Sequence, residues 1–193
     1  MAETSPDHYE RVYRQADCLF SLKEIDAALE ILSKKISHNL GAKNPLVICL
    51  MNGGLITAGH LLTKLDFLLQ VDYLHATRYR EAMQGSDDLQ WLVKPHHAIE
   101  GRHVLLVDDI LDEGMTLFQV SEFCRAQGAA SVSCAVIVEK IHDRRSPPGF
   151  KAEYTGLEVP DRYVFGFGMD YKGYLRNAPG IFAVSESHEE GAH

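Results

Sequence analysis

Apolar positions fall into two rhythms along this chain. After Ser21, the residues Ile25, Ala28, Leu29, Leu32, Ile36 and Leu40 recur at intervals of three and four until Gly41, which makes one face of a long helix apolar. Ser21 and Glu24 have the spacing of a capping box, and Gly41 is a residue type at which helices end. The second rhythm is the short unbroken run. Pro45 opens one, LVICLM; Val104 to Val107 form another, and Ser131 to Glu139, SVSCAVIVE, a third. Such aliphatic and β-branched runs suit strands covered on both faces, as in a parallel sheet. Asn52, Gly53 and Gly54 with the periodic segment through Leu65 read as a turn and a helix. Phe67 to His75 reads as a further strand, and Phe118 to Gln127 as a helix that Gly128 ends. The first twenty residues are polar without a clear period, an arm or irregular helix. Ala76 to His97 is polar, contains glycine and sustains no period, which in a compact domain marks a lid or a disordered loop. Strands alternating with helices predict an α/β fold whose central parallel sheet is flanked by helices.

The stretch from His103 to Leu117, HVLLVDDILDEGMTL, organises the rest. Its apolar strand ends in Asp108 and Asp109, at the edge of an open α/β sheet where ligands bind. Adjacent acids on an extended segment point to opposite faces. Asp112, Glu113, Gly114, Met115 and Thr116 follow with a glycine, the amides of a helix start and a hydroxyl, which are the parts of an anion site. Read without function, the same residues are a solvated acidic turn, with Asp112 as the N-cap of the next helix.

Composition narrows the function classes. A chain of 193 residues accommodates one α/β domain with a sizeable core. Its net charge of -8 and sequence pI near 5.6 argue against a partner held by its phosphate backbone. No apolar run approaches the roughly 18 residues of a membrane span, and no signal-like start is visible, so a cytoplasmic protein is expected. Cys18, Cys49, Cys124 and Cys134 are widely spaced and read as reduced core residues. The C-terminal HEEGAH places its two histidines five apart with a glycine between, so they cannot share a helix face as zinc ligands do. Residues 185–193 read as a disordered tail.

The strand followed by D-D-x-x-D-x-G-x-T-L closely resembles the signature of the type I phosphoribosyltransferases, which bind phosphoribosyl pyrophosphate (PRPP). The resemblance implies that Asp108 and Asp109 lie at the ribose hydroxyls and their Mg2+, and that the loop Asp112 to Thr116 takes the 5′-phosphate. It implies a pyrophosphate role for the turn at Asn52 and Gly53, a turn that commonly contains a strained peptide. Asn52 stands where human-type enzymes carry a lysine. It also places the family's flexible catalytic loop after the second strand, with Tyr79 matching the loop tyrosine and Arg78 replacing a small hydroxyl residue. Glu113 likewise replaces a small hydroxyl residue, and its carboxylate must point away from the phosphate.

A second stretch, P-D-R-Y-V-x-G-x-x-x-D-Y-x-x-Y-x-R from Pro160 to Arg176, is similar to that of the 6-oxopurine members. By composition alone it is an aromatic-rich strand and turn. The resemblance implies that Tyr163 stacks on the purine, the backbone of Val164 meets its edge, Asp170 holds a second Mg2+ through water, and Arg176 reaches pyrophosphate. Lys140, at the end of the third apolar run, would donate to the 6-oxo group and so reject adenine; by itself it reads as a solvated lysine. Asp112 would be the general base. The likeness extends from about residue 15 to 184.

The expectation is therefore a single phosphoribosyltransferase domain over 1–193. Its core spans about 41–140, and a small hood comes from about 1–20 and 141–184, with a flexible loop beside them. The expected reaction is Mg2+-dependent transfer of phosphoribose from PRPP to hypoxanthine or guanine, by a homodimer or homotetramer that binds neither nucleic acid nor membrane. A xanthine-preferring enzyme and a non-catalytic regulator that senses PRPP or nucleotides fit the same motifs.

Overall fold

The computed structural model describes residues 5–78 and 89–189. At its centre is a six-stranded sheet in the order β4-β3-β2-β5-β6-β7. Strands β2 (Leu46–Met51), β3 (Gln70–Arg78), β5 (His103–Leu111), β6 (Ser131–Lys140) and β7 (Tyr154–Val159) run parallel. Only the edge strand β4 (Leu89–Val93) is antiparallel. Helices α2 (Leu22–Leu40) and α3 (Gly54–Leu62) cover one face and α4 (Met115–Ala126) the other.

Strand β5 shows why the apolar runs are unbroken. Leu105 and Val107 enter the layer beneath α2 and α3, whereas Val104 and Leu106 enter the layer beneath α4. All four are fully buried, because a central parallel strand has no wet face. The helical rhythm is equally direct. Ile25, Ala28, Leu29, Leu32, Ile36 and Leu40 are the buried face of α2, and the Ser21 N–H donates to Glu24 Oε2 at 2.9 Å.

A small antiparallel sheet, in the order β1-β9-β8, stands apart from the central one. It joins β1 (Asp17–Ser21) to β8 (Val164–Phe165) and β9 (Gly180–Ala183). Helix α1 (Pro6–Gln15) packs Tyr9 and Val12 against Phe165 and Tyr171 of this unit. The unit therefore combines both ends of the chain.

Some boundaries differ from those read in the sequence. The first twenty residues contain an ordered helix and a strand, since Tyr9 and Val12 have distant apolar partners that no local period shows. The strand expected over Phe67 to His75 is displaced to Gln70–Arg78 by its pairing with β2. The stretch from Ala76 to His97 begins in β3 and includes β4, Ala76 pairing with Trp91, before an irregular segment from Lys94 to His97; the expected lid residue Tyr79 lies outside the described residues. The core is wider than 41–140. Helix α2 belongs to it, and so does β7, which lies in the range assigned to the hood but pairs with β6. From residue 185 the chain enters a short helix, α5 (Glu186–Glu189), with His188 Nε2 2.6 Å from Gln15 Oε1. Cys18 is exposed, whereas Cys49, Cys124 and Cys134 are buried, and all four are free thiols.

Leu105 is enclosed in the layer beneath α2 and α3, so Leu105→Ala should destabilise the protein by about 2–5 kcal/mol. The midpoint of urea unfolding measures it, with the slope unchanged.

Candidate active site

The β2–β5 ladder ends at the pair Cys49 and Val107, while the β5–β6 ladder continues to Leu111 and Glu139. Asp108 and Asp109 lie where β2 turns away, so they sit inside β5 and not at its last residue. Gly53 comes so close that a Cβ there would fall 2.2 Å from Asp109 Oδ2, and a Cβ on Gly168 would fall 2.3 Å from the Gly53 carbonyl oxygen. The turn after β2, the acids of β5 and the turn before Asp170 thus interlock. The Met51–Asn52 peptide within this turn is cis.

Arg176 ties the same three parts together. Its guanidinium donates to the Gly168 carbonyl at 2.6 Å, pairs with Asp170 Oδ1 at 2.5 Å and stands 4.0 Å from Asp109 Oδ2. Asp170 also accepts the Gly173 N–H at 2.7 Å. Burial, and then the charge of Asp109, push the Asp108 carboxyl well above the usual carboxylate range. Burial raises Asp109 as well, while hydrogen bonds from Asp108 and the Ile110 amide, with Arg176, oppose the rise. This surplus of negative charge reaches Cys49, whose thiol is pushed up to about 12 by burial and the two aspartates.

A second cluster forms one turn further on. Asp112 Oδ2 accepts from Lys140 Nζ at 2.5 Å, and Asp112 Oδ1 lies 2.8 Å from His142 Nε2. Burial acts to raise the Asp112 carboxyl, but its bonds and charge contacts with Lys140 and His142 prevail and hold it below its ordinary value. Beside it, Gly114 caps α4 with φ of 94°, so the loop from Asp112 to Thr116 delivers its amides at a helix N-terminus, as an anion site requires. Glu113 is partly buried and its charge is felt by Arg144; its carbonyl accepts the Ser146 N–H at 2.8 Å.

Residue Lys140 closes β6 with only 9% of its surface exposed and pairs with Val159 of β7. The segment carrying Tyr163 and Val164 therefore starts beside the lysine. An ion pair from Arg144 to Asp161, at 2.5 and 2.7 Å, fastens it there. Tyr163 packs its ring 5.5 Å from Tyr171, and Val164 is buried in β8. Arg78 ends β3, and nothing of its side chain is described.

The model of the phosphoribosyl transferase domain matches residues 17–172 of this chain. The chain belongs to that family. It is 30% identical to a hypoxanthine-guanine phosphoribosyltransferase of Streptococcus pneumoniae over 168 residues, 87% of this chain and 92% of the relative. A hypoxanthine-guanine-xanthine phosphoribosyltransferase of Tritrichomonas foetus is 30% identical over 169 residues, 88% of this chain and 91% of that one. Among solved structures, a variant of Trypanosoma cruzi hypoxanthine phosphoribosyltransferase complexed with IMP is similar with a TM-score of 0.82 at 25% identity. That match covers 89% of this chain and 93% of the other.

For a phosphoribosyltransferase, two contributors had no visible signal in the sequence. His142 and Arg145 sit in the polar run IHDRRS, which has no period and no motif. Yet Arg145 donates to the Leu111 carbonyl at 3.1 Å, bonds the Asp112 carbonyl and pairs with Glu139 at 2.8 Å. Only the parallel pairing of β5 with β6 brings residues some thirty positions apart together.

No three His, Cys, Asp or Glu side chains among the described residues gather into a cluster that could hold a metal alone. The donor set does fit Mg2+, which takes one or two carboxylates and completes its shell with water and substrate phosphates. Asp108 and Asp109 are crowded carboxyls whose charge a divalent cation offsets, and Asp170 stands across Arg176 from them.

Because Gly53 leaves no room beside Asp109, Gly53→Ala should displace that carboxylate and weaken PRPP binding by about tenfold or more. Calorimetric titration with PRPP and Mg2+ measures the change, and unaltered affinity would contradict the interlock's role.

Proposed function

We propose that this protein moves the 5-phosphoribosyl group from PRPP to hypoxanthine or guanine, giving IMP or GMP and pyrophosphate. The observation that carries this reading is the meeting of Asp112 and Lys140, 2.5 Å apart, beside the N-terminus of α4 and across from the Asp109–Arg176 cluster. An acceptor for a purine proton and a donor for a purine oxygen thus stand together next to a phosphate-sized loop.

Each group has a task in this reading. Asp108 and Asp109 hold the ribose hydroxyls, and they would hold Mg2+ with Asp170 acting through water; dependence on Mg2+ is typical of the family. The ion, when bound, offsets the charge of the pyrophosphate leaving group. The amides of Asp112 to Thr116 bind the 5′-phosphate. Asn52 and Gly53 offer backbone groups to pyrophosphate, and Arg176 offers charge that grows in value as the leaving group departs. Lys140 donates to the 6-oxo group, Tyr163 lies against the ring and the Val164 backbone meets its edge. Asp112 takes the proton from the purine: the ring N–H bond breaks, its electron pair stays in the ring, and the attacking nitrogen bonds to C1′ as the bond to pyrophosphate breaks. Water must be kept from the oxocarbenium-like state, which it would otherwise capture; Tyr79, to which the resemblance assigns that task, lies outside the described residues.

Asp112 has an unusual setting for a base. Its two donors lower its affinity for a proton, so it accepts one fully only as the transition state develops and the purine N–H becomes acidic. A xanthine-accepting variant of the reaction is the second reading, favoured by the likeness to the Tritrichomonas foetus enzyme.

We place the protein in the cytoplasm as a homodimer or homotetramer. In support, no helix among the described residues is long and apolar enough to cross a membrane. Val71, Tyr73 and Val93 are exposed on one side of the central sheet, where with Leu55 they line an open cleft of about 830 Å³ suited to a second copy.

Steady-state turnover with PRPP and Mg2+ should proceed with hypoxanthine and guanine and fail with adenine; the xanthine rate decides between the two readings. Binding of PRPP without transfer to any base would leave a regulator of the same fold. Asp112→Ala should lower kcat by about 10²- to 10⁴-fold with little change in PRPP affinity, and an equal loss of both would assign Asp112 to binding.

A further inference from the structure

The side chain of His142 is 3% exposed and is held from two sides. Its Nδ1 accepts the backbone N–H of Arg144 at 2.9 Å. A ring nitrogen that accepts an amide proton cannot carry one itself, which leaves Nε2 as the protonated nitrogen. That nitrogen is 2.8 Å from Asp112 Oδ1 and donates to it. Lys140 takes the other oxygen, Oδ2, at 2.5 Å.

These donors differ in kind. The Lys140 ammonium sits on a flexible stem with three rotatable protons, and a purine oxygen competes for it. The His142 ring is planar, buried and fixed by the Arg144 amide, so it has one direction in which to donate. We propose that His142 is a positioning residue for Asp112, whose Nε2–H holds Oδ1 so that Oδ2, on the Lys140 side, receives the purine proton. The inference rests on the reading of Asp112 as the base. It assigns the carboxylate a fixed anchor and a working oxygen, and it explains how the side chain keeps its orientation while Lys140 re-aims toward the base.

Several titratable groups of the described residues face this carboxylate. Lys140 faces it from β6 and His142 from the turn beyond, Arg144 and Arg145 lie on the same turn, and Glu113 is its chain neighbour. Asp161 approaches through its pair with Arg144. Removing the Nε2–H deletes one donor and leaves the rest. Asp112 then becomes both less oriented and easier to protonate.

Two substitutions and one spectrum test this. His142→Leu should lower kcat on the order of tenfold to a hundredfold, leave KM for PRPP nearly unchanged, and move the acid limb of kcat/KM for hypoxanthine to higher pH by about one unit. His142→Gln, whose amide can donate from nearly the same place, should restore most of kcat and return the acid limb toward that of the wild type. Unchanged kcat and pH profile in His142→Leu would overturn the proposal. So would a His142→Gln variant that is folded by thermal unfolding yet no better than His142→Leu. Long-range proton–nitrogen NMR of the ligand-free protein reads the tautomer without reference to turnover: Nε2–H is expected, and Nδ1–H overturns the proposal. If the wild type itself transfers no phosphoribose, the reading of Asp112 as the base falls and this inference falls with it. Wild-type transfer with an indifferent His142→Leu removes this inference alone.

Discussion

Two aspartates side by side on a buried strand are a costly arrangement, and the site is built around it. Asp109 is 7% exposed, and Asp108 is half-buried. Burial makes both resist ionisation, and the charge of Asp109 adds to the resistance of Asp108. The nearest relief is Arg176, 4.0 Å from Asp109 Oδ2 and shared with Asp170. The glycines at 53 and 168 allow the turns on either side to close against this pair, at distances no side chain could tolerate. Under the proposed function, a ligand that brings hydroxyls and a divalent cation would offset the charge crowded at this pair.

The second cluster has the opposite electrostatic character. Asp112 is over-supplied with donors, and its carboxyl is held below the ordinary range. One open sheet therefore carries two kinds of carboxylate within four residues, one pair short of cations and one acid rich in them. The difference arises from neighbours: Asp108 and Asp109 face the turn after β2, whereas Asp112 faces the end of β6 and the turn behind it. Groups of one residue type pushed in opposite directions can divide the work of holding a substrate and moving a proton.

Much of the fold was legible because it follows from short-range rules. The α2 face, the strands β2, β5 and β6, and the helix opening at Gly114 follow from periodicity, unbroken aliphatic runs and glycine chemistry, all of which act within a few residues. The candidate residues Asp108, Asp109, Asp112 and Gly114 could be named for the same reason, since they fall on one strand and its loop. Less legible were α1, β1, β7 and the edge strand β4. Their partners are far away in sequence: β1 pairs with β9 across the whole chain, and β4 is a strand only because β3 lies beside it. Boundaries fixed by a distant partner leave little trace in local composition.

The sequence by itself determined the doubly covered parallel sheet, the placing of two acids and a phosphate-sized loop on its central strand, and a family signature spanning both halves of the chain. Tertiary structure alone decided that Gly168 packs on Gly53, that Arg176 bridges Asp170 to Asp109, and that His142 and Arg145 close upon Asp112 and its loop. The physical reason is range. Propensity and periodicity are properties of neighbouring residues, whereas hydrogen bonds and charge pairing depend on distances that exist only once β2, β5 and β6 lie side by side.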